Sequence, residues 1–174
     1  MTRLLVLLAC LFAPLPRTGD ARAADALPEY RLKAAFLYNF ALLTEWPAEL
    51  GPTINLCVLG PDPFGEELDA LQGRNVGRRV IGVRRLGFRD PVSGCQMLYI
   101  APSAMASLPR LLDAVGGTPV LTVADSPDAA REGVAINMLP VQSKIGFEVN
   151  LRSARGAGLH LSSKLLRLAG NVYQ

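Results

Sequence analysis

An unusual density of arginine gives this chain its strongest charge bias. Six arginines fall within sixteen residues, namely Arg74, Arg78, Arg79, Arg84, Arg85 and Arg89. Arginine is the side chain best suited to desolvated ion pairs with carboxylates, so this stretch is a candidate docking face for an acidic partner. The candidate contacts are the central four, Arg78, Arg79, Arg84 and Arg85. The alternative is a solvated sheet edge, where charged side chains discourage pairing with other molecules.

The residue types that catalysis requires occur at unsuitable spacings. Residues 60–65 have the glycine spacing of a phosphate loop, but Glu66-Glu67 stands where Lys and Ser or Thr are required. The segment Ser162-Ser163-Lys164 lacks the Ser-x-x-Lys spacing of a serine acylase. His160 is the single histidine, which excludes a histidine-rich metal site, and we expect it to face solvent or to be satisfied on the last helix. The sequence thus predicts a protein without catalytic residues, metal or cofactor.

Four residues follow predicted strands at positions where a ligand could bind. In a parallel sheet the loops after the strand carboxyl ends gather at one rim, which is the default ligand site. The candidates for such a rim are Asp62, Phe64, Ser103 and Asp125. Asp125 could act as a general base, but an aspartate ahead of Ser-Pro is more typical of a helix cap.

The first residues have the pattern of a secretory signal peptide. Arg3 precedes an apolar run over 4–13, and Ala21-Arg22-Ala23 is a small-x-small cleavage pattern. We expect a signal peptide over residues 1–23, cleaved near Ala23, and a mature domain over 24–174. The apolar run is about half of what a membrane-spanning helix needs, so a permanent anchor is the weaker alternative.

Export changes the charge and cysteine content that matter for function. Removing three arginines and one aspartate from 18 basic and 15 acidic side chains leaves 15 and 14. A net charge near +1 provides no general field for nucleic acid, and we expect no nucleic-acid partner. Cys57 and Cys95 remain, and an even number of cysteines in an exported protein indicates a disulfide, with two buried thiols as the alternative.

The elements that position these residues alternate between helix and strand. A helix over 30–47, bounded by Pro28 and Pro47, has apolar residues at three- and four-residue steps and should bury nearly its whole circumference, Trp46 included. Strands are predicted over 53–59, 79–86, 96–101 and 118–124, and helices over 64–71, 102–115, 127–132 and 161–168. Two further strands, 134–139 and 144–150, are separated by a connection suited to an antiparallel hairpin.

This order predicts a single-domain α/β fold. With 174 residues, half of them hydrophobic, the chain can bury one sizeable core. Alternating strands and helices imply a mainly parallel sheet with right-handed crossovers. The predicted architecture is a three-layer fold with helices on both faces of the sheet and an antiparallel hairpin at the carboxyl-terminal end.

Five groups of residues in a fixed order carry a resemblance to a known family. They are 33–40 with Trp46-Pro47, 57–60 with 62–64, 120–125, 136–137 with 147–150, and Leu159 with 162–169. Together they resemble the YfiR family of periplasmic proteins, and the match covers essentially the whole mature chain.

The resemblance implies a non-enzymatic periplasmic regulator. The best-known member of the family represses an inner-membrane diguanylate cyclase by binding its periplasmic part, and an OmpA-type outer-membrane lipoprotein sequesters it. We therefore expect the periplasmic part of an inner-membrane signalling protein and an OmpA-type lipoprotein as partners, and a homodimer. The alternative is a periplasmic small-molecule sensor that feeds a histidine kinase or a cyclase. The resemblance also implies that Cys57 and Cys95 match one family disulfide, whereas a second cysteine pair found in some members is missing from this chain.

Overall fold

An eight-stranded mixed sheet forms the centre of the protein. The computed structural model describes residues 21–142 and 144–174, with side chains from residue 29 onwards. The helices are Ala21–Leu42 (α1), Glu66–Asp69 (α2), Leu108–Val115 (α3), Leu151–Gly156 (α4), Ser163–Leu168 (α5) and the 3-10 helix Pro102–Ser107. The strands are Thr44–Glu45 (β1), Thr53–Leu59 (β2), Asn75–Val76 (β3), Arg79–Leu86 (β4), Met97–Ile100 (β5), Leu121–Ala124 (β6), Ile136–Val141 (β7), Lys144–Asn150 (β8), His160–Leu161 (β9) and Asn171–Tyr173 (β10).

The strand order confirms the predicted fold class. The large sheet runs β10-β8-β7-β6-β5-β2-β4-β3. Strands β4, β2, β5, β6 and β7 are parallel neighbours, whereas β8 pairs antiparallel with β7 as the predicted hairpin. Counted along the chain, the five parallel strands lie in the order 2-1-3-4-5, which is a doubly wound arrangement with its switch point between β2 and β5.

Two hydrophobic clusters occupy the two faces of the sheet. Alternate residues of β2 divide between them: Ile54, Leu56 and Val58 face the cluster that contains α1, whereas Cys57 and Leu59 face the one that contains α3. Successive side chains of a strand point to opposite faces, so an almost wholly apolar strand such as β2 must be covered on both sides. The result is the predicted three-layer architecture.

The cysteines predicted to pair are joined. Cys57 lies on β2 and Cys95 precedes β5, with a Cα–Cα distance of 5.9 Å, and both are buried in the α3-side cluster. The disulfide confirms the prediction and rules out the alternative of two thiols. On the chain-entropy model a loop of this length contributes about 3 to 4 kcal/mol to stability.

Some predicted boundaries were wrong. Helix α1 begins at Ala21, so Pro28 lies within it, and it ends at Leu42 because Thr44 and Glu45 pair with distant β9. Residues 127–133 form turns rather than the predicted helix, since Asp128 adopts a left-handed φ of 58° that a helix does not accommodate.

The carboxyl-terminal region contains two strands that the sequence did not predict. His160 lies exposed in β9 and not on the last helix, and the chain ends with β10 on the edge of the sheet. Residues 1–20 of the predicted leader, which extends to residue 23, and Ser143 of the hairpin turn lie outside the described residues. Across the part of the chain that the structure describes, every helix is too short or too polar to cross a membrane.

One side of α1 is open to solvent, contrary to the prediction that the helix buries nearly its whole circumference. Leu32 and Leu42 are 44% and 42% exposed, and Ala35 and Asn39 lie exposed between them. Trp46 is only half-buried, with its indole N–H donating to the Ala41 carbonyl. The apolar spacing in the sequence therefore predicted more burial of this helix than the structure shows.

Candidate functional site

A buried ion pair fastens α1 to the rim where β6 ends. The Lys33 ammonium lies 2.6 Å from Oδ2 of Asp125, and the two side chains are 5% and 2% exposed. Lys33 also pairs with Glu29 one helical turn earlier. Burial alone lowers the pKa of Lys33, but hydrogen bonds to Asp125 and Glu29 outweigh burial and raise it. Lys33 therefore stays charged inside the fold.

Aromatic side chains close this rim around the ion pair. Phe64 packs edge-to-face on Tyr99 of β5, with ring centroids 4.8 Å apart, and on Tyr30 of α1 at 5.3 Å. The Tyr30 hydroxyl donates to Asp125 at 3.4 Å. Within the described residues, the buried Tyr99 hydroxyl and Oδ1 of Asp125 have no hydrogen-bond partner. Burial and the nearby Asp125 carboxylate raise the pKa of Tyr99.

Only two of the four predicted rim residues come together. Asp125 and Phe64 share the closed cluster under α1. Asp62 instead accepts from the Phe64 backbone N–H and from Arg85, and Ser103 is exposed at the start of the 3-10 helix. Asp125 was expected to cap a helix, but its carboxylate binds Lys33 and no helix follows it. The cluster thus stabilises the packing of α1 against the sheet.

Replacing Tyr99 by Phe tests the electrostatics of this cluster through alkaline stability. A tyrosine whose pKa is raised on folding keeps its proton to a higher pH in the folded protein than in the unfolded chain. Its contribution to the stability of the fold is therefore complete below about pH 10 and declines above that pH. Tyr99→Phe should be as stable as the wild type at pH 7, because the removed hydroxyl makes no hydrogen bond there. Above pH 10 it should lose less stability than the wild type, by roughly 1 kcal/mol per pH unit.

Urea titrations at pH 7 and pH 11 measure this difference, with Tyr38→Phe on a half-exposed tyrosine as the control. An identical alkaline loss in Tyr99→Phe and wild type would remove Tyr99 from the account.

The arginines predicted to form one docking face lie on both faces of the sheet. Arg84 and Arg85 are neighbours on β4, so they point to opposite faces of the sheet. Arg84 donates to the Ser93 carbonyl on the α3 side. Arg85 pairs with Asp62 and Asp69 beside α2.

Of the other two arginine candidates, one is held by hydrogen bonds and one is exposed. Arg79 donates to the carbonyls of Pro47, Leu50 and Gly51, which fixes the loop that leads into β2. Arg78 is exposed in the turn between β3 and β4. The four candidates therefore do not form one continuous basic surface.

A prominent open surface lies at the opposite edge of the sheet and is apolar. A groove of about 490 Å³ runs along β8 beside Leu168, and a smaller one of about 270 Å³ lies between α1 and α5. Phe147 and Leu168 line both, so the two grooves form one trough, which we call the Leu168 groove. Leu168 is 64% exposed and Val141, at the hairpin tip, is 52% exposed.

The charged groups at the Leu168 groove are mostly basic. Lys144 and Glu148 line the larger part, and Lys164 lines the smaller part. The sequence predicted α5 but did not predict this surface, because the surface depends on how α5 packs over β8. The one available signal was Leu168 itself, a leucine three residues from the buried Leu165.

Comparison with models of known protein families shows which family the chain matches. A model described as YfiR/HmsC-like matches residues 30–170, which is most of the chain and includes the Lys33–Asp125 pair and all residues of the Leu168 groove except Asn171. No curated protein matches the chain.

Proposed function

The chain belongs to the YfiR/HmsC-like family, and we propose that it binds and represses a membrane-bound signalling enzyme, a diguanylate cyclase. The family is one of periplasmic, non-catalytic regulators of cyclic-di-GMP signalling. The Cys57–Cys95 disulfide accords with an oxidising compartment. The proposal also includes cleavage of a signal peptide near Ala23, an OmpA-type lipoprotein as second partner, and a homodimer.

The Leu168 groove is the observation that carries the proposed mode of action. Exposed apolar patches with a polar rim are typical of protein-binding surfaces. An apolar side chain of the cyclase's periplasmic part would fill the groove on each side of Leu168, while acidic neighbours would meet Lys144 and Lys164. Leucine and phenylalanine supply the contact area, and the lysines orient the partner.

Repression requires that this contact prefers one state of the partner. A ligand shifts a two-state equilibrium only by its difference in affinity for the two states. If the regulator binds the inactive arrangement of the cyclase about 100-fold more tightly, it favours that arrangement by about 2.7 kcal/mol. A rigid three-layer domain suits this role because it presents one fixed surface.

The arginine residues of β4 are the second candidate contact. Arg78 is exposed, and Arg84 is partly exposed on the opposite face from Arg85. Such residues could steer an acidic partner towards the protein at low salt. They offer less apolar area than the Leu168 groove. We therefore expect them to increase the association rate with the partner rather than to stabilise the complex once it has formed.

Leu168→Glu should weaken binding of the partner's periplasmic part at least tenfold. The substitution places a charge where the complex would bury an apolar side chain, but it replaces a side chain that is already 64% exposed. The free energy of unfolding should therefore stay within about 0.5 kcal/mol of the wild-type value. Surface plasmon resonance with the purified periplasmic part of the candidate membrane cyclase measures the affinity.

Phe88→Glu is the matched control, since Phe88 is also apolar, 60% exposed and follows β4 at the far side of the sheet. Reversing Arg84 and Arg85 to Glu should reduce the association rate more at low salt than at high salt. Equal affinity of Leu168→Glu and wild type would exclude the Leu168 groove, and a loss confined to the arginine variant would assign the contact to β4.

A small-molecule sensor is the second candidate function, favoured by the size of the larger groove. Its volume of about 490 Å³ falls within the range of ligand pockets. Mass spectrometry of protein purified from the periplasm under native conditions distinguishes the two functions. A stoichiometric small molecule that is lost in Leu168→Glu would favour the sensor.

A further inference from the structure

Another pocket lies where the carboxyl ends of β8 and β10 meet the turns at 127–133, and we call it the Arg131–Arg152 pocket. Its volume is about 390 Å³. The lining consists of Arg131, Asn150, Arg152, Tyr173 and Gln174. None of these residues lines the Leu168 groove. The charged side chains of this lining are both arginines, so the chemistry of the pocket suits an anion.

Contacts with β10 hold the Arg131 side chain in place at this pocket. Its Nε donates to the Tyr173 hydroxyl at 3.1 Å, and that hydroxyl donates to Glu148 at 3.3 Å. The guanidinium also lies 5.7 Å from the centroid of the Tyr173 ring. Among the described residues, Arg131 forms an ion pair with the exposed Asp128, whose Oδ1 lies 3.8 Å from Nη1. So long and exposed a contact is weak, and the terminal nitrogens of Arg131 therefore remain available to a ligand.

Arg152 reaches the same pocket from the first turn of α4. Its Nη2 donates to the carbonyl oxygen of Gln174 at 3.3 Å. Within the part of the chain that the structure describes, Arg152 forms no ion pair with a carboxylate side chain. Its guanidinium therefore keeps N–H donors that a ligand can use.

The half-buried Asn150 side chain joins the two segments that carry these arginines. Its amide nitrogen donates at 2.8 Å to the carbonyl of Ala130, which precedes Arg131 in the chain. Its amide oxygen accepts at 3.0 Å from the backbone N–H of Ser153, which follows Arg152, and this bond caps α4. One side chain thus fixes the backbone on which both arginines stand. A site positioned before its ligand arrives loses less conformational entropy on binding.

We propose that Arg131 and Arg152 bind the doubly charged group of a small molecule, which is a phosphate monoester or a dicarboxylate. A guanidinium presents parallel N–H donors that match two oxygens of a phosphate or a carboxylate. Two guanidinium groups in one pocket suit an anion with two negative charges. The rest of the pocket, beside the Tyr173 ring, leaves space for the remainder of the molecule. The site does not depend on the Leu168 groove or on the proposed membrane partner.

Isothermal titration calorimetry of the exported protein at pH 7 and low salt tests this site, with inorganic phosphate and succinate as separate probes. The wild type should bind at least one of these anions at a single site per chain. Arg131→Met and Arg152→Met should each weaken that binding at least tenfold, because each removes one of the charge-assisted contacts. Tighter binding of phosphate would identify a phosphate monoester as the class of ligand, and tighter binding of succinate would identify a dicarboxylate.

Arg155→Met is the matched control, since Arg155 is an exposed arginine of the same helix that does not line the pocket. It should bind the anion like the wild type, and all variants should keep the wild-type unfolding midpoint. Arg131→Lys keeps the charge but not the paired donors, so it should also bind more weakly than the wild type. The proposal would be overturned by a wild type that binds neither anion, by an equal loss in Arg155→Met and the two pocket variants, or by full affinity in Arg131→Lys.

Discussion

Asp125→Ala should lower the free energy of unfolding by about 3 kcal/mol. Removing one partner of a buried ion pair leaves the other charge without compensation, at a typical cost of about 3 to 5 kcal/mol. Lys33 would keep Glu29 as a partner, but that carboxylate is 42% exposed and lies on the same helix. The lower end of the range is therefore expected, together with a weaker hold of α1 on the sheet.

A double variant separates the ion pair from the packing around it. Lys33→Met with Asp125→Leu removes both charges and should be within about 1 kcal/mol of wild type. Asp113→Ala, which removes an exposed carboxylate on α3, is the control and should change stability by less than about 0.5 kcal/mol. Urea unfolding followed by Trp46 fluorescence gives all three values. A double variant as unstable as Asp125→Ala would show that the charges are not the cause.

Phe40→Ala should destabilise the protein by about 3 to 5 kcal/mol, because it leaves a cavity where α1 meets the sheet. Phe40 is fully buried, and its ring centroid lies 5.1 Å from that of Phe147 on β8. Phe40→Leu keeps much of the volume and should lose less than half as much.

The comparison with Trp46→Ala shows which aromatic residue is central. The sequence points to the single tryptophan as a core residue, but Trp46 is half-buried and stands at the end of α1. Trp46→Ala should lower the free energy of unfolding less than Phe40→Ala does, when both variants are unfolded in urea and followed by circular dichroism. A larger loss in Trp46→Ala would contradict the observed burial.

The strands that local patterning determines were predicted well. The bounds of β2, β4 and β8 agree with the predictions, because each is a run of apolar or alternating residues between clear turn signals. The strands β1, β9 and β10 are two or three residues long and exist only through pairing with distant segments. Local sequence has no pattern that reveals such short strands.

The candidate sites were harder to predict because they depend on contacts between distant residues. Lys33 and Asp125 are 92 residues apart in the chain, and both belong to stretches that carry the family resemblance, yet nothing in either stretch links them. The separation of Arg84 from Arg85 was accessible from the sequence, since neighbouring residues of a predicted strand point to opposite faces. The Leu168 groove required the packing of α5 on β8.

Cellular cyclic-di-GMP in a deletion strain tests the proposed regulation most directly. The strain is complemented with wild type, Leu168→Glu or Phe88→Glu, each exported to the same level in the periplasm. We predict that deletion raises cyclic-di-GMP, that wild type and Phe88→Glu restore the low level, and that Leu168→Glu does not. Unchanged cyclic-di-GMP on deletion would contradict repression of a cyclase, and full repression by Leu168→Glu would contradict the groove as its means.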